Sequence, residues 1–284
     1  MFLLPELAFY VKAFSDFSYF NKSHLDIAFN NDNNFVINKN IIDYVENSLT
    51  EENKDYFGTF LRELYDSNRF ENCTSIDINN YKNSCLSFYT GSNKSLLIPI
   101  KTEENSEFTK TEFPNLLDIN SSEEFDKILK TLLMKSHIQI CYQDFASNEN
   151  INEYMSNIFS IPKHVDEVYF FNRDISDRFL KNFRSKKINY YTLIKKPIRN
   201  YLNEYRDTKN EFRRTISGRF KLYTIANNTL IHERKIFINN LCISFDNAFE
   251  NIRIEEPTWE ISISYSNDKF LNWKQKIDQF HAVG

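Results

Sequence analysis

Thr229-Leu-Ile-His-Glu-Arg-Lys-Ile-Phe-Ile-Asn-Asn-Leu-Cys-Ile-Ser-Phe-Asp-Asn247 reads as two short strands joined at Asn239-Asn240. β-Branched and aromatic residues flank a pair of Asn, a residue type that tolerates the positive φ of a tight hairpin turn. Side chains two apart in a strand share a face, so His232 and Arg234 are expected to project together from one side of a sheet. An imidazole beside a guanidinium suits phosphate chemistry, and the flanking sequence either builds such a site or contradicts it.

Upstream of the hairpin, helical and strand patterns alternate. Ser121 or Ser122 is placed to cap a helix from Glu123 to Met134, whose acidic first turn complements the helix dipole. A strand at His137–Tyr142, a helix at Ile151–Phe159, a strand at Val165–Phe171, a helix at Ser176–Phe183 and a strand at Ile188–Leu193 follow. A long basic helix then runs from about Pro197 to Phe212, with Pro197 in its first turn. Downstream, Glu260, Ser262 and Ser264 alternate with Ile261 and Ile263 in a strand. Asn267 or Asp268 caps an amphipathic helix from Phe270 to Phe280. Strands alternating with helices predict an α/β layer structure, with a mostly parallel region leading into the hairpin.

Residues 1–120 are less regular. Three-and-four spacing predicts helices over 40–49 and 54–65, and β-rich pieces predict strands at Cys85–Thr90 and Ser95–Ile100. The acidic run 102–112 has the composition of an exposed loop or linker. The expected organisation is a smaller α+β N-terminal domain at 1–120, then an α/β domain with a mixed sheet and flanking helices at 121–284.

Among 284 residues, 41% are apolar and 16% aromatic, which is ample for a folded core and excludes a disordered chain. The four cysteines have no ligand spacing, so neither a zinc site nor any other metal or cofactor is called for. The first residues lack a basic leader, and Pro5 and Glu6 interrupt their apolar run, which places the chain in the cytoplasm as an expectation. The net charge of −4 hides a strong asymmetry. Residues 1–177 carry 15 Lys/Arg against 28 Asp/Glu, residues 178–221 carry 14 against 3, and residues 222–284 carry 6 against 8. The middle block is the electrostatic footprint of a polyanion partner, or equally a solvated basic surface that docks on acidic protein.

This order of elements, with His232-Glu-Arg234 on an apolar strand, resembles the phospholipase D superfamily over about residues 130–284. That resemblance implies His232 as nucleophile, Arg234 where the family has Lys, Asn239 where it has Asp, Ser244 and Asn247 on the return strand, and Glu260 as the carboxylate orienting the imidazole. Arg offers a bidentate fork to phosphate, but Asn239 lacks the negative charge that the family's Asp supplies. One motif per chain implies a homodimer, since the family's chemistry uses a second His to protonate the leaving oxygen. Lys235, Arg213, Arg214 and Arg219 join Arg234, Ser244 and Asn247 as expected phosphate ligands.

Two functions follow as expectations. One is a phosphodiester-engaging protein that binds nucleic acid, or cleaves it without a metal, of the kind seen among bacterial defence or toxin effectors. The other is a catalytically degenerate phospholipase D-like subunit that binds or assembles with protein, through its acidic N-terminal half, or with an anionic membrane surface.

Overall fold

Phe2–Pro5 is the central strand, β1, of a five-stranded sheet. The computed structural model describes residues 1–15, 22–194, 198–226, 231, 234–256, 258–265 and 267–284, with backbone alone at 198–201 and 267–269. Strands β2 (Asn34–Ile37) and β3 (Phe70–Asn72) lie on one side of β1, and β4 (Leu97–Lys101) and β5 (Leu117–Asp118) on the other. Every pairing is parallel. Parallel strands need crossover connections, and α1 (Leu7–Ser15), α2 (Lys22–Ala28), α3 (Lys39–Ser48), α4 (Glu51–Asp66) and α5 (Tyr81–Gly91) lie in them. Leu3, Leu4, Phe35, Val36, Ile98 and Ile100 are all fully buried, as strands covered on both faces require.

The α/β class therefore holds for the chain, while the expected α+β character of its first part gives way to this all-parallel sheet. The predicted strand at Cys85–Thr90 lies within α5. Cys85 and Tyr89 both face the core, and their spacing of four satisfies a helix as well as a strand.

The chain divides into two compact units: Met1–Ser136 with residues 160–163, and His137–Phe159 with 164–284. The expected division at 120/121 thus moves to 136/137, and hydrogen bonds give the reason. Helix α6 (Glu124–Lys135) is tied into the first unit, where Leu133 O accepts from Asn30 Nδ2 at 2.6 Å and Asn33 Nδ2 at 2.8 Å. Ile161 O accepts from Asn115 Nδ2 at 2.9 Å, which holds 160–163 in the same unit. Neither Ser121 nor Ser122 is the N-cap of α6. Glu123 takes that position, and its N–H donates to Ser121 Oγ at 3.0 Å.

In the second unit an eight-stranded sheet has the order β13-β9-β8-β7-β10-β11-β12-β6. Its strands are β6 (His137–Cys141), β7 (Glu167–Phe171), β8 (Lys187–Leu193), β9 (Phe220–Ile225), β10 (Arg234–Ile238), β11 (Leu241–Phe245), β12 (Glu260–Tyr265) and β13 (His281–Ala282). β7, β8 and β9 are parallel, and every other pairing is antiparallel. Helix α7 (Asn148–Phe159) lies between β6 and β7 in sequence, and α8 (Ile198–Thr215) crosses from β8 to β9. Pro197 lies outside the described residues.

The predicted helix at Ser176–Phe183 is only a 3₁₀ turn, Leu180–Phe183, because Phe179 holds φ 68°. The C-terminal helix is α9 (Asn267–Lys274) followed by a separate 3₁₀ turn at Ile277–Gln279. Trp273 and Phe280 pack with Phe171, Tyr191 and Phe237 on one face of the sheet. On the other face Phe170 meets Phe183 and Phe249, with ring centroids 5.7 and 6.2 Å away. Among the described residues no helix is long and apolar enough to cross a membrane, and no group of three His, Cys, Asp or Glu is placed to hold a metal.

The run 102–112 is part of the first unit, and Glu6 holds its start. The Glu6 carboxylate, only 8% exposed at the end of β1, accepts from the N–H of Thr102, the N–H of Glu103 at 2.9 Å and the hydroxyl of Ser106. Removing a buried acceptor leaves its donors unpaired, which costs more than the bonds contributed. Glu6→Ala is expected to destabilise the protein by about 3 kcal/mol, and Glu6→Gln, which retains one acceptor oxygen, by less. Denaturant unfolding checks this: an Ala variant with the wild-type midpoint would remove Glu6 as the clasp of this loop.

Candidate functional site

The hairpin forms as its sequence requires. Asn239 takes φ 54° at the turn, and its side-chain amide donates to His164 O at 3.1 Å, so both its backbone and its side chain serve the turn. A two-residue turn pairs Ile238 with Leu241, and the ladder continues to Lys235↔Ser244 and Arg234↔Phe245. β11 then pairs with β12 through Ser244↔Ser262 and Phe245↔Ile261.

That register separates the predicted site residues. Arg234, Phe245 and Ile261 lie on one face, whereas Lys235, Ser244, Ser262 and Glu260 lie on the other. Arg234 Nη1 donates to Asp246 O at 3.0 Å, and its Nε is buried with no hydrogen-bond partner among the described residues. Glu260 is exposed and accepts from Gln139 Nε2 at 2.8 Å. Lys235 lies over the Trp273 ring at 5.2 Å. Asn247 Oδ1 accepts from Ala248 N at 2.8 Å and Asn251 Nδ2 at 3.1 Å, bonds local to the following 3₁₀ turn. His232 lies outside the described residues. Arg234 and Glu260 therefore lie on opposite faces, and Asn247 bonds within its own turn.

The basic block, by contrast, converges. Lys187, Lys209, Arg213, Arg219 and Lys221 line a cleft of ≈490 Å³ along the β9 edge, and Tyr223, Ala282 and Val283 form part of its wall. No carboxylate is among the lining residues. Three elements supply the cations: the start of β8 gives Lys187, the last two turns of α8 give Lys209 and Arg213, and the entry to β9 gives Arg219 and Lys221. Phe212 seats α8 on this end of the sheet by an edge-on contact with Phe220, ring centroids 5.3 Å apart.

Backbone carbonyls, rather than acids, hold most of these side chains. Lys209 Nζ donates to Val283 O at 2.9 Å, Arg213 Nε to Gly218 O at 3.4 Å and Arg219 Nη2 to Ser185 O at 2.5 Å. Among the described residues, Lys187 alone of these cations has an acidic partner, Glu167 at 2.6 Å. A neutral carbonyl orients a cation without cancelling its charge, so the cleft keeps its positive potential. Burial, and then the charges of Arg213 and Arg206, push the Lys209 ammonium below its ordinary value. Of the arginines expected from the sequence to meet phosphate, Arg213 and Arg219 line the cleft, whereas Arg214 is exposed on α8 and does not. Sequence reading missed Lys187, Lys209, Lys221 and Tyr223. The first three sit inside the basic block, so the charge count held the signal without saying which cations would meet.

No protein-family model matches the chain, and no curated protein does. Among solved structures it is similar to TrmBL2, an archaeal chromatin protein whose structure is described as showing a novel mode of DNA binding. The likeness has 8% sequence identity and a TM-score of 0.32, covering 51% of this chain and 51% of that one.

Proposed function

We propose that the second unit binds the phosphodiester backbone of nucleic acid along the β9 edge. The observation that carries this reading is the cleft in which Lys209, Arg213, Arg219 and Lys221 gather with no carboxylate among the lining residues. Such a cluster is electrostatically unfavourable when empty, and a polyanion relieves it by binding several phosphates at once. Arg213 and Arg219 present planar forks suited to phosphate oxygens, while the lysines act as point charges. The fixed carbonyl bonds to Lys209, Arg213 and Arg219 limit the side-chain entropy lost on binding.

The sheet is read in the same proposal as phospholipase D-like and its hairpin end as catalytically degenerate. The opposite faces of Arg234 and Glu260, and the use of Asn239 as turn residue, favour this over a hydrolytic centre.

Two measurements test the reading. Fluorescence anisotropy with single- and double-stranded DNA is expected to show affinity falling about a hundredfold between roughly 50 and 200 mM salt, as about four phosphate contacts would give. Arg213→Glu with Lys221→Glu is expected to reduce that slope by about two and to weaken all sequences alike. A flat salt response, or unchanged binding in the double variant, would overturn the proposal.

The second measurement uses Lys209. Bound phosphate favours the protonated ammonium, so binding takes up a proton and affinity falls as pH rises through the alkaline range below 10.5, the lysine's ordinary value. Lys209→Arg keeps its charge throughout, so that part of the profile should become level. If the variant retained the wild-type pH dependence, Lys209 would not be a phosphate ligand.

A further inference from the structure

An aromatic row crosses the second unit's sheet and ends in the cleft. Phe171 on β7, Tyr191 on β8 and Tyr223 on β9 occupy paired positions in the parallel ladder. Their rings lie nearly parallel, Phe171 to Tyr191 at 4.8 Å and 11°, Tyr191 to Tyr223 at 4.7 Å and 9°. The spacing is that of neighbouring strands, about 4.8 Å, so the backbone itself sets the stack. The next position on the same rung belongs to β13, and there Ala282 pairs with Tyr223. A methyl group stands where a fourth ring would lie. Ala282 is exposed, Tyr223 is half-buried, and both line the cationic cleft. Among the described residues no ring other than Tyr191 stacks on Tyr223.

Phe171 and Tyr191 are core residues, each 2% exposed or less, and need no ligand to explain them. The open end is different. A phenol ring stacked on Tyr191, lining the cleft and sharing its face of β9 with Lys221, has the two components that single-stranded nucleic acid requires, a π-platform and a backbone clamp. A base paired within a duplex has no free face to offer.

We infer that Tyr223 is a stacking platform for an unpaired nucleobase, placed over Ala282 as the fourth member of the row, and that the cleft therefore takes single-stranded nucleic acid. This rests on the phosphate-binding reading above and assigns the bases a place beside the backbone. The base slides onto Tyr223 while its flanking phosphates meet Lys221, two residues away on the same face of β9, and Arg219 at the entry to that strand.

The test uses the full chain and three probes of about 16 nucleotides: a single strand, a hairpin duplex, and an abasic strand with the same phosphates and no bases. The wild type should bind the base-bearing strand about tenfold more tightly than the abasic one. Tyr223→Leu should abolish that difference without changing the salt slope, and Tyr223→Phe should preserve it. Equal affinity of the wild type for base-bearing and abasic strands, with steep salt dependence intact, would overturn the stacking site and leave the phosphate reading standing. Absence of binding by all three probes at low salt would overturn the phosphate reading itself. The abasic comparison on the wild type decides the matter even if the Leu variant is poorly folded.

Discussion

Parallel pairing of β8 with β9, in register from Ile188↔Phe220 to Leu193↔Ile225, is the constraint on which the second unit's surface depends. Two parallel neighbours cannot be joined by a turn, so the chain must travel back along the sheet between them. Helix α8 makes that journey, its 18 residues spanning about 27 Å. Its last turns consequently arrive at the end of the sheet where β8 began and β9 is about to start. A basic run that is linear in sequence is thereby folded onto itself: Lys187 at its beginning meets Lys209, Arg213, Arg219 and Lys221 at its close. The helix also ends with Arg213 and Arg214 in its final turn, where the negative end of the dipole accommodates cations. Topology thus gathers the charge, and the dipole makes part of that gathering tolerable.

The same constraint explains which features of the chain were legible beforehand. β6, β7, β8, β10, β11 and β12 are runs rich in β-branched or aromatic residues bounded by turn signals, and each was recognisable. β9 was not, because Phe220–Ile225 follows α8 after a short link and its Lys221 made it look like the tail of the basic helix. β13 is two residues long and exists only as a partner for β9. In the first unit β1, β2 and β3 are four, four and three residues, too short to show a period against their aromatic surroundings. The basic block was visible as a count, but its convergence needed the β8/β9 pairing, which no local pattern encodes. Tyr223 lay just beyond the block and carried no signal until the rows of the sheet were known.

The hairpin teaches the complementary lesson. Its internal register was fully determined by the two-residue turn at Asn239-Asn240, which alone sets Arg234 against Phe245. What could not be read was the next pairing, because fourteen residues separate Phe245 from Glu260 and any register is reachable over such a length. A one-residue difference decides the face. Glu260 follows the rung of Asp246, to whose Oδ1 its N–H donates at 2.8 Å, rather than the rung that holds Arg234. Sequence spacing therefore identified the strands of Arg234 and Glu260 and not the parity that puts the two on opposite faces. Ile261 and Ile263 enforce that parity, since both are fully buried and a shift of one would expose them while burying Glu260.

Cations on an edge strand have an ordinary use, which is to discourage pairing with another sheet, and a single lysine suffices for that. The β9 edge goes further than edge protection needs. β13 already covers the edge at Tyr223 and Thr224, so the backbone left open is short. Lys209 and Arg213 come from α8 and not from the strand, so they contribute nothing to hindering a ladder at β9. Burial, and after it the charges of Arg213 and Arg206, disfavour the charged form of Lys209, and no carboxylate is among the residues that line the cleft to offset this. Lys187 shows that such relief was available, since Glu167 stands beside it at 2.6 Å on the same sheet. A cluster left uncompensated next to a compensated lysine, and closed by an aromatic ring at strand spacing, has the properties of a surface shaped for an anion that carries flat groups. Edge protection accounts for Lys221 alone, whereas the proposed phosphate and base sites would also account for Lys209, Arg213, Arg219 and the ring at the cleft's end.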